Sequence, residues 1–318
     1  MNVNDTMSAQ DVARYLGIGK NAVYKHAKDG SLPSYRIGRR LVFSLADVDA
    51  FLVATRSGSA PVRKGLNPYE QDIERTYQAK IAGADNTEIC IAGRDKVGDL
   101  ISRYLSDRDI AVERSYRNCL ASLADVYTMN ANAAIVNLYD VETDSYNVEY
   151  VKRLLPGVPV VVYRLFNREI GFLVAKGNPK NIVNWESLTQ SGVKFVNHKK
   201  GTAQRVLADQ MIMKQCIDPL DIDGYDRTVE ASREAATLIE GGLCDVALGS
   251  LHNAAMRDGV DFVALQHEHV DIVFERLPRS ERARLTLEGI FGNPLFKEAL
   301  GTVTGRDCAE LGAVVYRI

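Results

Sequence analysis

The chain has 318 residues, of which 46% are hydrophobic, and its 39 basic and 41 acidic residues give a formal net charge of -2. This length can bury the cores of two or three domains, and the balanced charge argues neither for nor against a polyanionic partner. No run approaches the roughly 18 apolar residues of a membrane helix, and the N-terminus lacks the pattern of a signal peptide. We therefore expect a cytoplasmic protein with no membrane partner.

Residues 1–55 have the pattern of a winged helix-turn-helix domain. Ser8 and Asp11 have the spacing of a capping box at the start of a first helix. A second helix is predicted from near Lys20 to Gly30, a natural residue to follow a helix. "LPSYRIGRRLVF" then predicts a hairpin with a basic tip, and a third helix follows. The order helix, turn, helix, hairpin, helix is that of a winged helix.

Positive charge is concentrated in this segment, where residues 20–40 hold six Lys or Arg and only one acidic residue, Asp29. A basic helix suits a major groove, because Lys binds phosphate or guanine and Asn reads adenine. Arginines on the hairpin would contact an adjacent backbone or minor groove. Ordinary solvated charges are the alternative, but six cations in this pattern favour DNA. The predicted contact residues are Lys20, Asn21, Tyr24, Lys25, Lys28, Arg36, Arg39 and Arg40.

The stretch "MSAQDVARYLGIGKNAVYKHAKDGSLPSYRIGRRLVFSLADVDAFL" resembles the excisionase-family winged helix, which is related to MerR-type domains. "VYKHAKDGSLPSYRIGRR" is its most specific portion. The resemblance implies that the second helix and the wing bind double-stranded DNA, through the residues just named except Lys28. One departure is His26, where such domains usually have an aliphatic core residue, and we expect it to pack.

Residues 56–86 are predicted to be a linker followed by a short helix. "TRSGSAPVRKGLNP" is rich in Gly, Ser, Pro and cations and has no apolar period. "YEQDIERTYQAK" has apolar residues four apart, which predicts a short amphipathic helix able to pack on a partner chain. A homodimer is expected on this basis.

Residues 87–318 alternate short apolar strands, such as "EICIAG" and "VPVVVYRL", with helical segments such as "QRVLADQMIM". This alternation predicts an α/β unit with largely parallel sheets. Periodicity alone does not choose between one barrel and two lobes.

"CIAGRD", "DVETDSYNVEYVKRLLPG", "NREIGFLVAKGNP", "VKFVNHKKGTAQRVLAD" and "GYDRTVEASREAATLIEGGLCDVALG" follow one another over roughly residues 87–280. In this order they resemble the periplasmic-binding-protein-like domain that follows a DNA-binding head in many bacterial regulators. The resemblance implies a type 2 fold of two α/β lobes, the second at about residues 170–249, crossed twice by the chain and closing on a ligand. Relatives include molybdate-binding proteins, so an oxyanion such as molybdate or tungstate is the first ligand class to consider.

The chemistry of several loops independently suggests an anion site. Thr202 and Ser232 each begin a predicted helix, whose unpaired N–H groups and partial positive charge suit an anion. "AGRD" lies at the C-terminal end of a strand, where ligands of open α/β sheets bind. The family match places four residues of the first lobe near the cleft: Tyr116, Asn118, Asn137 and Tyr146. The other predicted ligand residues are Arg94, Asp95, Thr202, Ala203, Arg205, Ser232 and Arg233.

Alternatives remain open for this site. Thr202 and Ser232 are equally suited to be simple helix caps, and Arg205 to form a surface ion pair. Where the family commonly has "GSGTR" this chain has "GTAQR", which makes the site bulkier and richer in amides. A larger anionic metabolite is therefore as consistent with the sequence as an oxyanion.

Other chemistries lack their motifs. G-x-x-x-x-G-K-[ST] and G-x-G-x-x-G are absent, so no nucleotide cofactor is predicted. His267, Glu268 and His269 lack further metal ligands, the five cysteines contain no C-x-x-C pair, and no nucleophile motif indicates an enzyme. The leading hypothesis is a ligand-responsive DNA-binding transcription regulator. The alternatives are an excisionase-like architectural DNA binder with a C-terminal assembly domain and, third, an enzyme that uses the cleft.

Overall fold

A computed structural model describes residues 6–16, 18–37, 40–44, 47–48, 51, 89–303 and 305–318. The predicted linker and short helix at residues 56–86 lie outside the described residues. The chain divides into two compact units, Met1–Asn67 and Pro68–Ile318. Each unit is described by itself.

The N-terminal unit contains helices α1 (Ala9–Leu16) and α2 (Lys20–Lys28) and strands β1 (Thr6–Ser8), β2 (Tyr35–Ile37) and β3 (Arg40–Ser44). The strands form an antiparallel sheet in the order β1-β3-β2. Asp47, Val48 and Phe51 are helical, where the third helix was predicted. These elements have the order expected of a winged helix-turn-helix domain.

Local capping and a small apolar core explain this arrangement. The amide N–H of Ser8 donates to the Asp11 carboxylate at 3.2 Å, and the Asp11 N–H donates to Ser8 Oγ at 3.3 Å, so α1 begins with a reciprocal capping box. Gly30 has φ +78, a conformation that lets the chain turn away after α2. The core residues, all 4% exposed or less, are Ala9, Val12, Val23, Leu32, Phe43 and Val48.

The C-terminal unit is built on two 16-residue strands, β9 (Val160–Ala175) and β13 (Val260–Glu275), which pair antiparallel along their length. Between β3 and β9 lie β4 (Ile89–Ala92), β5 (Val112–Ser115), β6 (Ala133–Val136), β7 (Tyr139–Asp140) and β8 (Ser145–Tyr146). Between β9 and β13 lie β10 (Phe195–His198), β11 (Thr228–Val229) and β12 (Val246–Ser250). Strands β14 (Arg306–Asp307) and β15 (Val314–Arg317) follow.

The helices of this unit follow the strands. The first three are α3 (Val97–Ser106), α4 (Cys119–Tyr127) and α5 (Val148–Leu154). Next come α6 (Ala203–Lys214), α7 (Ser232–Glu240) and α8 (Leu251–Ala255). The last two are α9 (Glu281–Phe291) and α10 (Pro294–Gly301).

The main sheet has the order β11-β10-β12-β9-β13-β6-β4-β5. We define the first lobe as β4, β5 and β6 with the ends of β9 and β13 that adjoin them, and the second lobe as β10, β11 and β12 with the opposite ends. The register supports this division, because β6 pairs with residues 271–274 of β13 and β12 with residues 170–174 of β9. The chain thus crosses twice between two α/β lobes.

The sheet is mixed, which corrects the prediction of largely parallel sheets. Pairing is parallel between β4 and its two neighbours and between β10 and its two neighbours. The central pairs are antiparallel because β9 and β13 carry the chain in opposite directions between the lobes. Each lobe buries apolar clusters on both faces of its sheet.

The crossing region of β9 and β13 contains buried charge. The pairing has register shifts between Ala264 and Gln266 and between Val270 and Asp271. Arg164 Nε donates to the Asp271 carboxylate at 2.5 Å, and this carboxylate is fully buried. Asn147 also donates to it, at 2.8 Å. Burial raises the pKa of Asp271, with Arg164 acting in the opposite direction.

Gly171 on β9 should be essential for this strand pairing. A Cβ at this position would lie 2.1 Å from the Val263 carbonyl oxygen of β13. We expect Gly171→Ala to reduce the free energy of unfolding by about 3 kcal/mol, because the central strands must separate. Gly289 in α9, where a Cβ meets nothing within 4 Å, provides the control.

Gly289→Ala should instead stabilise the protein by about 0.5–1 kcal/mol, since alanine restricts the unfolded chain and favours a helix. Urea denaturation of the two variants would measure both effects. Equal stability of Gly171→Ala and the wild type would contradict the close strand approach.

Candidate ligand cleft and DNA-binding surface

A cleft of about 820 Å³ is lined by residues of both lobes. It lies where β4, β5, β10, β11 and β12 end and α3, α4, α6, α7 and α8 begin. Ligands of open α/β sheets bind at such carboxyl ends of strands. This arrangement identifies the cleft as the candidate ligand site.

Four helices of eight or more residues begin at the cleft wall: α3, α4, α6 and α7. Thr202 precedes α6 and its hydroxyl accepts from the Arg205 N–H at 3.3 Å, while Asn118 caps α4 by accepting from Ala121 N–H at 2.9 Å. Ala231 is the residue that precedes α7, so Ser232 is its first helical residue and not its cap. The partial positive charge of these helix ends favours negative charge in the cleft.

Basic residues outnumber acidic ones in the lining by seven to two. The acidic residues are Asp95 and Glu230. The basic residues are Arg94, Lys96, Arg117, Arg168, Arg233, Arg257 and Arg306. Five of the seven form ion pairs, so the unpaired positive charge of the lining, among the described residues, is that of Lys96 and Arg233.

The cleft floor is held by a chain of buried and partly buried charges. Asp95 accepts from Arg168 Nη1 at 3.0 Å and from Arg306 Nη2 at 3.1 Å, and Arg168 Nε donates to Glu268 at 2.5 Å. Asn137 donates to the other Glu268 oxygen at 2.8 Å. Burial opposes ionisation of Asp95, but Arg168 and Arg306 together hold the pKa of its carboxyl below the ordinary value. The floor is thus an ordered, ionised network.

Direct contacts join the two lobes at the cleft. Arg94 of the first lobe donates to the carboxylate and to the carbonyl oxygen of Glu230 of the second, each at 3.1 Å. Lys199 pairs with the same carboxylate. The Leu120 N–H donates to the Gly201 carbonyl oxygen at 3.3 Å. The lobes are therefore in contact across the cleft.

Eight of the eleven predicted ligand residues line the cleft. From the first lobe these are Arg94, Asp95, Asn118 and Asn137. From the second lobe they are Thr202, Ala203, Ser232 and Arg233. The structure therefore brings together residues more than 130 positions apart in the sequence, in a region where an anion is favoured.

Tyr116, Tyr146 and Arg205 lie elsewhere, which corrects their predicted placement. The Tyr116 side chain is 59% exposed and its hydroxyl donates to Asp99 at 2.9 Å. Tyr146 is buried, and its hydroxyl accepts from Gln266 at 2.6 Å.

Arg205 turns away from the cleft because Asp209, one helical turn further along α6, accepts from its Nε at 2.7 Å. The Arg205 guanidinium also lies over the Tyr225 ring, 4.6 Å from its centroid. Arg205 thus forms an ion pair, as in the alternative left open above, but it is 4% exposed and the pair is not a surface one.

Several lining residues were not predicted, and the most important are Arg168, His198, His252 and Arg306. Arg168 interrupts the apolar run of β9, and this interruption was the available signal. Arg306 lies in the C-terminal segment, far in sequence from any residue that it contacts.

The His-Glu-His segment on β13 is engaged in other contacts. Glu268 is ion-paired with Arg168, and His269 contacts Asn167 and Arg164 at 2.6 and 2.7 Å. Among the described residues, no group of three or more His, Cys, Asp or Glu side chains is placed to hold a metal ion. The Cys119 thiol lines the cleft, but burial raises its pKa to about 11, so it is protonated at neutral pH.

In the N-terminal unit, the basic side of α2 is exposed. The Tyr24 side chain is 44% exposed, whereas Val23 beside it is fully buried. The His26 ring packs against Phe51 with 5.1 Å between centroids, as expected of a packing residue. The exposed predicted DNA contacts are Lys20, Asn21, Tyr24, Lys25, Lys28 and Arg36. Arg39 and the side chain of Arg40 lie outside the described residues.

Comparison with known families defines the class of protein. Residues 6–55 match a helix-turn-helix domain, and residues 102–284 match the PBP superfamily domain. The two domains together are the domain content of a ligand-responsive DNA-binding regulator. The chain belongs to the PBP superfamily and carries an N-terminal helix-turn-helix domain of the excisionase-like type.

Two similar proteins come from Bacillus subtilis and Clostridium pasteurianum. The chain is 31% identical over 319 residues to YvgK of Bacillus subtilis (strain 168), covering 99% of each chain. It is 30% identical over 110 residues to a Clostridium pasteurianum protein from the 5′ region of a ferredoxin 2Fe-2S gene, covering 35% of this chain and 97% of that one.

Among solved structures, the P235GK mutant of ArgBP from T. maritima superposes with a TM-score of 0.50 at 12% identity. The match covers 71% of this chain and 97% of that chain, and it shows the shared fold. In the described part of the chain, no helix has the length and apolar character needed to cross a membrane.

His198 in the cleft wall should make stability depend on pH. It is 1% exposed and donates from Nε2 to the Leu248 carbonyl oxygen at 2.9 Å. Burial lowers its pKa below the ordinary 6.5. The unfolded chain therefore binds a proton below about pH 6.5 that the folded chain does not bind, and the free energy of unfolding falls as the pH decreases towards the folded pKa.

We expect His198→Gln to make this decrease shallower, by at most about 1.4 kcal/mol per pH unit. Urea denaturation of both proteins between about pH 7 and about pH 5 measures the slopes. Parallel slopes would show that His198 does not remain neutral in the fold.

Proposed function

We propose that the protein is a cytoplasmic transcription regulator that senses a small anionic ligand in the cleft and binds double-stranded DNA as a homodimer. The observation that carries the ligand class is the charge of the lining. Seven basic residues face two acidic ones, and four helix N-termini add partial positive charge. A neutral or cationic ligand would leave Lys96 and Arg233, the lining cations that form no ion pair among the described residues, without a counter-charge.

Arg233 is a basic residue whose charge is available to an anion. It lines the cleft at the start of α7, and within the described part of the chain its guanidinium makes no ion pair. Arg94 and Arg257, by contrast, are paired with Glu230 and Glu240. Thr202 lies at the start of α6 on the same wall, and its hydroxyl already donates to the Lys199 carbonyl oxygen at 2.8 Å. The donor that the second lobe offers to a ligand is therefore the Arg233 guanidinium.

The DNA-binding part of the proposal rests on α2. Its exposed side carries Lys20, Lys25 and Lys28 together with Asn21, and its opposite side packs through Val23. A rigid helix that exposes cations and an amide fits a major groove. Arg36 on β2 extends the same positive charge to the hairpin.

The contacts between the lobes suggest how the ligand is sensed. The Arg94–Glu230 pair and the Leu120–Gly201 hydrogen bond form only when the lobes are together. A ligand that binds both lobes favours that arrangement, and it changes DNA affinity only as far as it discriminates between arrangements.

Replacement of Arg233 tests the ligand class. The thermal stability of the full chain should be measured with molybdate, tungstate, sulfate, phosphate and organic acids. At least one of these anions should stabilise the protein, whereas matched amines and sugars should not. Arg233→Gln should reduce the affinity for that anion by about tenfold, since it removes a charge-assisted hydrogen bond.

Arg227→Gln is the matched control, because Arg227 is exposed and donates to the Leu243 carbonyl oxygen away from the cleft lining. A stabilising anion that leaves DNA affinity unchanged would contradict the sensing role. Stabilisation only by amines or neutral sugars would contradict the anionic ligand.

Replacement of Lys25 tests the DNA-binding surface. On a duplex selected from a randomised library, Lys25→Ala should weaken binding by about three- to tenfold and reduce the slope of log affinity against log salt by about 1, because one phosphate contact is lost. Lys214→Ala, at the exposed end of α6, is the control. Equal losses in both variants would remove α2 from the DNA interface.

A further inference from the structure

One side of the cleft differs in character from the rest. Apolar residues from α3, from the end of α8 and from the segment around α10 line it together. They are Val97, Leu100, Met256, Ala299 and Val303. Met256 is 69% exposed, so this apolar wall includes surface that water contacts. A ligand that covers this surface gains the hydrophobic free energy of removing it from water.

Arg306 lies at the same side, and one of its donors has no hydrogen-bond acceptor. Its side chain is only 9% exposed and stacks 4.2 Å from the centroid of the Phe166 ring. Nη2 donates to Asp95 at 3.1 Å, whereas the buried Nε has no acceptor among the described residues. A buried guanidinium with five donors requires more than one acceptor. Burial lowers the pKa of Arg306, which agrees with incomplete compensation of its charge.

His252 is a second lining residue with a buried polar atom that has no hydrogen-bond partner among the described residues. The atom is His252 Nδ1. Burial lowers the pKa of its imidazole, and the nearby charges of Arg306, Lys96 and Arg168 lower it further, with Asp95 acting in the opposite direction. The imidazole is therefore neutral in a region of positive potential.

This corner of the cleft lies largely outside the matched family domain. The PBP superfamily match ends at residue 284, and Ala299, Val303 and Arg306 follow it. Val97 and Leu100 precede its first residue, 102. The segment after α10 therefore adds a charged and apolar wall to the cleft, and the family match does not account for it.

We propose that the ligand is an organic anion whose charged group binds Arg306 and whose apolar part covers the apolar wall. This inference rests on the proposed anion-sensing function. A mineral oxyanion has no apolar surface to bury, whereas each Å² of apolar ligand surface removed from water contributes about 25 cal/mol. The cleft volume of about 820 Å³ also lies in the range of pockets for organic ligands, roughly 300–1,000 Å³. The anionic group takes the place of the acceptor that Arg306 Nε lacks.

The test compares two sets of anions on the full chain by isothermal titration calorimetry. Benzoate, phenylpyruvate and octanoate are the organic probes, and molybdate, tungstate, sulfate and phosphate are the inorganic ones. We expect at least one organic probe to bind more tightly than all four inorganic anions. Arg306→Gln should weaken that binding at least tenfold, and Arg153→Gln, on the surface outside the cleft lining, should leave it within twofold.

Val303→Ser provides a second variant that keeps the Asp95 network intact. This substitution should weaken binding of the organic probe severalfold, because it removes apolar contact without removing charge. Unchanged binding in Val303→Ser, or in a folded Arg306→Gln, would overturn the inference. Tighter binding of an inorganic anion would also overturn it but would leave the anion-sensing function standing, whereas binding of none of the seven anions would contradict both.

Discussion

The pairing of β9 with β13 determines where everything else in the C-terminal unit is placed. Each strand passes through both lobes, so the same two backbones form the centre of the first-lobe sheet and of the second-lobe sheet. Where they cross, the strands bring charged side chains into the interior, and these charges must be paired there. Arg168 on β9 and Glu268 on β13 are such a pair, and they extend through Asp95 to Arg306. The cleft floor is therefore a continuation of the strand crossing.

This coupling has a consequence for ligand binding. Asp95 and Glu268 supply two negative charges to Arg168 and Arg306, so the floor network has no net charge by itself. The positive surplus of the cleft comes from the residues around it and from the helix ends. Asp95 contacts both Arg306 and Arg168, so an anion bound at Arg306 as proposed would lie one ion pair away from the strand crossing.

The sequence predicted those features that depend on local spacing. The capping box at Ser8, the exposed basic side of α2 and the helix that begins after Thr202 all follow from residues a few positions apart. Arg205 was misplaced because helical spacing does not decide between a cleft and an ion pair with Asp209. The mixed sheet was missed because an apolar run does not specify the direction of its neighbour.

Arg168 and Arg306 were missed for a different reason. The role of each residue depends on its contact with Asp95, which is 73 positions from Arg168 and 211 positions from Arg306 in the chain. No periodicity or composition links such residues. The family resemblance did not supply Arg306 either, since the matched domain ends before it. The parts of the site that distinguish this chain are therefore those that only the fold brings together.

The contact between Asn118 and Gly201 shows how narrowly the lobes fit. A Cβ at Gly201 would lie 2.8 Å from the Asn118 amide, and its φ of +87 also disfavours any other residue. The glycine thus permits the second lobe to approach α4 closely enough for the Leu120 hydrogen bond. The Arg94–Glu230 pair is exposed and contributes little on its own. A contact this weak would leave the balance between lobe arrangements to the ligand, as the proposed sensing function requires.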